Sequence, residues 1–325
     1  LYEGAVAYAQ ATGKTTLLDV SVRNANLLVS EFGPDKKAIF PGHQVTEIGL
    51  VKLHRILNRF KKGGKHLAPT ASAGTPAASA PTTEFLDLAQ FLLDARGPDG
   101  EEGSGNLYNQ SHLPVLEQSE AVGHAVRATY MYAGMADIAA VLGDNRYVAP
   151  LDRIWKDVVG TKLHLHGGIG ATHHHEAFGE AYELPNATAY CETCAAIGLA
   201  FWAQRMFLLH GESQFYDVLE RALYNGLLSG VSLDGMQFFY DNPLESDGWL
   251  SRRPWFGCAC CPGNFARFLP SLPGYVYAQR DTSIYVNLYI GSETSLTLDN
   301  GSTVRLTQST NYPWDGKVTL TVVPI

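Results

Sequence analysis

In Gly211-Glu212-Ser213-Gln214-Phe215-Tyr216-Asp217 a helical pattern stops at glycine, polar residues follow, and an aromatic pair opens the next apolar period. Glycine just past the last turn is the usual helix stop, and a short polar loop makes the two flanking helices antiparallel neighbours. The same punctuation recurs at Gly13-Lys14-Thr15-Thr16-Leu17-Leu18-Asp19 and Gly143-Asp144-Asn145-Arg146-Tyr147, with a degraded copy at Thr82-Thr83-Glu84-Phe85-Leu86-Asp87. Between these stops, residues 15–32, 43–60, 84–96, 118–142, 188–210 and 214–230 carry apolar residues at i, i+3, i+4 and i+7. Segment 188–210 is apolar nearly all round, as an inner helix covered by an outer ring would be. Repeated helical hairpins build either a solenoid or a closed toroid of paired helices.

Two segments interrupt this pattern. Residues 66–83 are rich in Ala, Pro, Ser and Thr and predict a flexible insertion between helices. Residues 97–117 predict a long Gly-rich loop running to Tyr108-Asn109-Gln110-Ser111-His112, a length that is often functional. From about residue 280 the period changes to two, in Ser283–Ile290, and Ser295–Leu298 and Thr303–Leu306 flank a hairpin signal at Asp299-Asn300-Gly301. These strands, continued by Lys317–Val322, predict the start of a β-sandwich over 280–325, after a helical domain over 1–279. The chain opens on Leu1-Tyr2-Glu3-Gly4 as if inside a helix and ends at Val322-Val323-Pro324-Ile325 as if inside a strand, so a fragment is expected.

Over 325 residues, 46% hydrophobic and 17% charged content fits a globular protein with a large core. A net charge of -8 argues against a nucleic-acid partner, which needs basic surface. No run of eighteen apolar residues predicts a membrane helix.

The chemistry gathers at the five cysteines, which fall in two clusters, Cys191-Glu192-Thr193-Cys194 and Cys258-Ala259-Cys260-Cys261-Pro262-Gly263-Asn264. Such bunching is unlike the dispersed pairs of a disulfide-stapled fold, and adjacent cysteines rarely bridge each other. Glu192, Cys194, Cys260 and Cys261 would close a four-coordinate Zn2+ site, three thiolates and one carboxylate. Neither half is a CxxC knuckle, and buried free thiols can also cluster without a metal. His173-His174-His175-Glu176 and His164-Leu165-His166 compete for such a role, but consecutive extended side chains alternate faces, and a partly solvated loop accounts for the triplet.

Several runs carry a family resemblance. Glu117-Gln118-Ser119-Glu120-Ala121-Val122-Gly123-His124-Ala125-Val126-Arg127, Gly168-Ile169-Gly170-Ala171-Thr172, Leu184-Pro185-Asn186 and the two cysteine motifs resemble, in order, glycoside hydrolase family 127. Its type activity is β-L-arabinofuranosidase, and the related family 146 shares the metal site and activity. The resemblance spans about residues 1–300 and implies an (α/α)6 barrel, incomplete at its N-terminus here, followed by the start of a β-sandwich. It implies that Glu192, Cys194, Cys260 and Cys261 hold zinc. Cys260 would be the nucleophile, and Glu176 the general acid/base with a raised pKa. His43, His124 and Tyr240 would line the sugar pocket. Without the resemblance, His124 reads as a satisfied core histidine, His43 as a helix cap, Tyr240 as core and Glu176 as a surface carboxylate.

The expectation is a retaining, zinc-thiolate glycosidase acting on a β-L-arabinofuranoside-containing glycan or oligosaccharide, of bacterial type. The rivals are another exo-glycosidase on this scaffold, a non-catalytic carbohydrate-binding barrel with a structural zinc, and a thiol–disulfide redox protein. A homodimer is compatible with the resemblance; a cytoplasmic or periplasmic location is left open. The resemblance gives Cys191 and Cys258 no role.

Overall fold

The computed structural model describes residues 1–61, 83–99 and 105–325. Most of the predicted insertion near 66–83, and 100–104 of the Gly-rich loop, lie outside the described residues. The glycine stops behave as the local chemistry requires. Gly13 separates α1 (Tyr2–Thr12) from α2 (Thr16–Glu31), Gly143 closes α5 (Ala125–Leu142), and Gly211 separates α7 (Thr193–His210) from α8 (Ser213–Arg221). All three are left-handed, with φ of 70°, 66° and 76°. Helices α3 (Thr46–Lys61) and α4 (Thr83–Asp94) form another pair, and α6 (Val148–Asp157) follows α5 through a 3-10 turn whose start Asp144 caps. Last come α9 (Cys260–Phe268) and the single turn α10 (Pro273–Val276).

The odd-numbered helices pack on one another in sequence, α1 on α3, α3 on α5, α5 on α7 and α7 on α9, while α2, α4, α6 and α8 back onto their hairpin partners. This alternation of inner and outer helices explains why α5 and α7 are buried almost all round. Their close approach depends on Gly198, where a β-carbon would stand 2.2 Å from Thr129 Oγ1. Trp202, fully buried, packs against both Tyr132 and Trp155 at ring distances of 4.8 Å. Charge also links the inner helices. Asp137 of α5 holds Arg55 of α3 at 3.0 Å and Arg205 of α7 at 2.7 Å, and Glu3 of α1 pairs with Lys52 of α3 and Arg267 of α9.

Three predicted helices are shorter than their apolar periods. The one expected over 118–142 starts only at Ala125, because Gly123 is left-handed and the Ala121 amide bonds Asp157 instead of a helical carbonyl. The one expected over 188–210 starts at Thr193, after Cys191 turns the chain at φ 40°. The one expected over 214–230 ends at Arg221 and widens into a π turn, Ala222–Leu227, where Gly226 lies against the Gly167–Gly168 backbone.

Beyond α10 the chain is antiparallel β. Strands β1 (Tyr277–Arg280) and β2 (Ser283–Val286) form a hairpin, and β3 (Ser292–Thr297), β4 (Thr303–Thr310) and β5 (Val318–Pro324) form a three-stranded sheet in that order. The Asp299-Asn300-Gly301 signal does lie at the β3–β4 turn, with Gly301 at φ 84°. The strand expected over 283–290 stops at Val286. Gln308 of β4 ties down the connection between the two sheets, its amide donating to the Leu288 and Ile290 carbonyls. No helix among the described residues is long and apolar enough to cross a membrane.

Glu47 in α3 yields a stability test. It is fully buried, neither carboxyl oxygen has a hydrogen-bond partner, and burial raises its pKa to about 7 against the partial offset of Arg96. Below about pH 4.5 the carboxyl is protonated whether folded or not; as pH rises towards 7 only the folded chain keeps the proton, so stability falls. Glu47→Gln is expected to remove most of this fall, about 3 kcal/mol between pH 5 and pH 8. Denaturant titrations of both proteins at the two pH values measure it, and equal pH slopes would refute it.

Candidate active site

The two cysteine motifs meet because α7 and α9 pack together with their N-terminal ends adjacent. Glu192 is the N-cap residue of α7 and Cys194 lies in its first turn; Cys260 and Cys261 open α9. The segment before α7 is held by residues 240–242 running antiparallel to it, with the Thr193 amide on the Tyr240 carbonyl (2.9 Å) and the Asn242 amide on the Tyr190 carbonyl (3.1 Å). Cys194 Sγ lies 3.3 Å from Cys261 Sγ, and Cys260 Sγ lies 3.8 Å from Cys261 Sγ and 3.3 Å from Glu192 Oε1. All four ligand atoms fall within 4.8 Å of one another. The sulfur–sulfur edge of a tetrahedron with zinc–sulfur bonds is about 3.8 Å, so the spacing suits a shared cation. Glu192 Oε2 is buried with no hydrogen-bond partner, an orphan that a cation would satisfy. The cluster can therefore hold a metal ion. All five cysteines are free thiols.

The buried groups of the cluster shift one another's charges strongly. Hydrogen bonds from Cys194 and Cys261 pull the Cys260 thiol well below its usual range, and the bond to Cys260 pushes Cys194 up. Burial, then the Cys260 charge, drive the Glu192 carboxyl well above its usual range. Two helix N-termini favour anionic sulfur here as well.

Glu176 approaches from a different part of the chain. It closes a 3-10 turn, His174–Glu176, in which His175 and Glu176 both have positive φ (56° and 53°), a costly conformation for non-glycine residues. His124, the N-cap of α5, accepts the Val126 amide at Nδ1, so its proton sits on Nε2 and is donated to Glu176 Oε2 at 2.7 Å. The Tyr190 hydroxyl donates to Glu176 Oε1 at 3.1 Å. The bond from His124 is the largest favourable influence, and it holds the Glu176 carboxyl below the ordinary range despite burial. The raised pKa expected for Glu176 is thus not what the sugar-free site displays: two donors on the carboxylate outweigh desolvation. His124 itself is not the helix-interior residue its apolar surroundings suggested. Gly123, at φ 66°, makes the turn that sets it in place, and a β-carbon there would lie 1.8 Å from the Leu107 carbonyl oxygen.

The remaining predicted residues border the same space. Ligand atoms of His124, Glu176 and Glu192 lie within 4.8 Å of one another, so Glu176 reaches the edge of the thiol cluster. The Tyr240 hydroxyl is 3.1 Å from Cys260 Sγ. The His43 ring lies 6.1 Å from that of His124 and 5.5 Å from that of Tyr130; part of the residue is exposed, yet desolvation by these neighbours and then the Arg127 charge lower its pKa to about 4. Cys258 is exposed and outside the cluster; Cys191 is buried against Gly168, its thiol pushed up to about 12 by burial, and is inert. The histidine triplet is largely solvated, yet it frames Glu176: His173 packs on Tyr190 at 4.9 Å and His175 on Tyr108 at 5.3 Å. Sequence reasoning missed Tyr190 and Tyr108. The long loop through Tyr108 was the only signal for the latter; for Tyr190 there was only its place two residues before Glu192.

Paired helices in two layers, with a thiol–carboxylate cluster at two helix ends and a second carboxylate at its edge, define a helical-hairpin protein with a centre able to hold a metal ion. Residues 1–274 match the family model described as the β-L-arabinofuranosidase GH127 catalytic domain, and residues 283–324 that of the GH127 middle domain. The chain belongs to glycoside hydrolase family 127. It is 35% identical to a non-reducing end β-L-arabinofuranosidase of Bifidobacterium longum subsp. longum, over 98% of this chain and 50% of that protein. Among solved structures, a GH127 β-arabinofuranosidase is similar at 50% identity and a TM-score of 0.86, covering 98% of this chain and 46% of that one. A GH127 β-L-arabinofuranosidase from Geobacillus stearothermophilus T6 is similar at 38% identity and a TM-score of 0.86, covering 98% and 51%. The chain spans about half the length of these relatives.

Proposed function

We propose that this chain carries the catalytic centre of a retaining glycoside hydrolase that releases L-arabinose from the non-reducing end of β-L-arabinofuranosides. Residues 1–279 would belong to an (α/α)6 barrel and 280–325 to a β-sandwich domain. The observation that carries the reading is that Glu192 lies beside both Cys260 Sγ, within the thiol cluster, and the Glu176 carboxylate at the edge of that cluster. Membership of the family, and the printed activity of its relatives, support the substrate class.

The donor set of three thiols and a carboxylate suits zinc, which when bound would keep the cysteine sulfurs as thiolates at neutral pH. Cys260 Sγ then attacks the anomeric carbon as the bond to the leaving oxygen breaks, and Glu176 gives that oxygen its proton. The sugar is left on sulfur. Glu176, now a carboxylate, takes a proton from water; the water oxygen bonds the anomeric carbon, the carbon–sulfur bond breaks, and the thiolate returns. Two displacements at one carbon retain its configuration, with cysteine in the place of the second carboxylate of ordinary retaining glycosidases. Tyr240 lies against the nucleophile, and His43, His124 and Tyr240 would bind the sugar hydroxyls.

Two measurements test this. Protein purified under reducing conditions is expected to carry about one zinc per chain, as a single four-ligand site requires; no more than a trace would remove the zinc-thiolate centre. With methanol as acceptor, an aryl β-L-arabinofuranoside should yield the methyl β-L-arabinofuranoside. The α product would overturn retention, and no turnover by the metal-loaded protein would leave the non-catalytic carbohydrate-binding reading.

A further inference from the structure

We propose that Tyr190 is a positioning residue that holds the acid/base carboxylate of Glu176 at its working distance from the nucleophile. This rests on the reading of Glu176 and Cys260 given above. Each oxygen of Glu176 has one donor: His124 Nε2 on Oε2 at 2.7 Å and the Tyr190 hydroxyl on Oε1 at 3.1 Å. The two donors are not equivalent. His124 Nδ1 is committed to the Val126 amide, so the imidazole can only donate to Glu176. A phenol hydroxyl turns about its C–O bond and can both donate and accept. In a retaining cycle Glu176 alternates between acid and carboxylate, and the Tyr190 hydroxyl can turn so as to stay bonded to Oε1 in either form.

Tyr190 is itself well braced. Its carbonyl accepts the Asn242 amide at 3.1 Å, and its ring stands edge-on to His173 at 4.9 Å. On its other side the ring meets Tyr240 at 6.2 Å, and the Tyr240 hydroxyl reaches Cys260 Sγ at 3.1 Å. Two neighbouring tyrosines thus each touch one of the two reacting groups, and their ring contact helps set the gap between them. The left-handed turn at Cys191 separates Tyr190 from the metal-ligating Glu192, so the same five residues serve both halves of the site.

Tyr190→Phe keeps the ring and removes only the hydroxyl, and it separates positioning from scaffolding. In the full-length enzyme, kcat/KM for an unactivated β-L-arabinofuranosyl disaccharide, which needs a proton on its leaving oxygen, is expected to fall about tenfold or more. For a nitrophenyl glycoside, whose leaving group needs little help, kcat/KM should stay within about twofold. Zinc content and melting temperature should match the parent. An equal fall for both substrates, no fall for either, or loss of zinc would overturn the inference. Glu176→Gln is run alongside: if it lacks a leaving-group dependence the proposed function itself fails. If Glu176→Gln has that dependence and Tyr190→Phe does not, only the role of Tyr190 falls.

Discussion

Cys260→Ser is expected to lower kcat/KM for an aryl β-L-arabinofuranoside by at least about a thousandfold. The exchange is nearly isosteric, so the loss would come from chemistry. A thiol in this cluster is readily ionised: Cys194 and Cys261 both favour charge on Cys260, and the N-terminus of α9 adds to them. A serine hydroxyl in the same place stays protonated and is a weak nucleophile without an adjacent base to take its proton. Glu192 Oε1, at 3.3 Å, would serve as a ligand under the proposed reading and not as that base. Zinc content must be measured on the same sample, because the change also removes one of three sulfurs. Cys261→Ser provides the comparison: it removes a sulfur without removing the proposed nucleophile. Activity of Cys260→Ser within tenfold of the parent would end the case for a cysteine nucleophile.

Glu176→Gln should cost about 10² to 10⁴ in kcat/KM on substrates with poor leaving groups and far less on activated ones. Glutamine keeps the size of the side chain and can still accept the His124 proton, so the site should persist while the transferable proton is lost. The pH profile of kcat/KM adds a signed test, since it reports the free enzyme. With His124 and Tyr190 holding the Glu176 carboxyl below its ordinary range, the acid form is lost early as pH rises. A cation at the neighbouring cluster pushes the same way. The parent's kcat/KM for a poor leaving group should therefore decline with pH from the acid side, and Glu176→Gln should flatten that decline. Added azide, a small anion that needs no general base, should raise turnover of the variant on activated substrate. A variant with an unchanged profile and no response to azide would remove Glu176 from the acid/base role.

Local signals carried much of the architecture. The stops at Gly13, Gly143 and Gly211 are backbone effects of residues without a β-carbon, and they hold whatever packs around them. The all-round apolar character of 188–210 likewise announced an inner helix, which the structure places at Thr193–His210. Boundaries were less legible where tertiary contacts overrode the period. Val122 lies in phase with α5, yet Gly123 and the bond from Ala121 to Asp157 keep it out of the helix. The β region showed its hairpin at Asp299-Asn300-Gly301, because that turn is set by its own residues.

For the site the division is similar. The sequence by itself determined the candidate donors: Glu192, Cys194, Cys260 and Cys261 offer a soft, anionic set by residue type alone. Their convergence, the placing of Tyr190 on Glu176, and the lowered rather than raised pKa of that carboxyl were decided only by the tertiary structure. The physical reason is that composition and backbone geometry act over a few residues. A carboxyl's charge state instead sums the donors, charges and buried surface that distant segments bring to within a few ångströms of it.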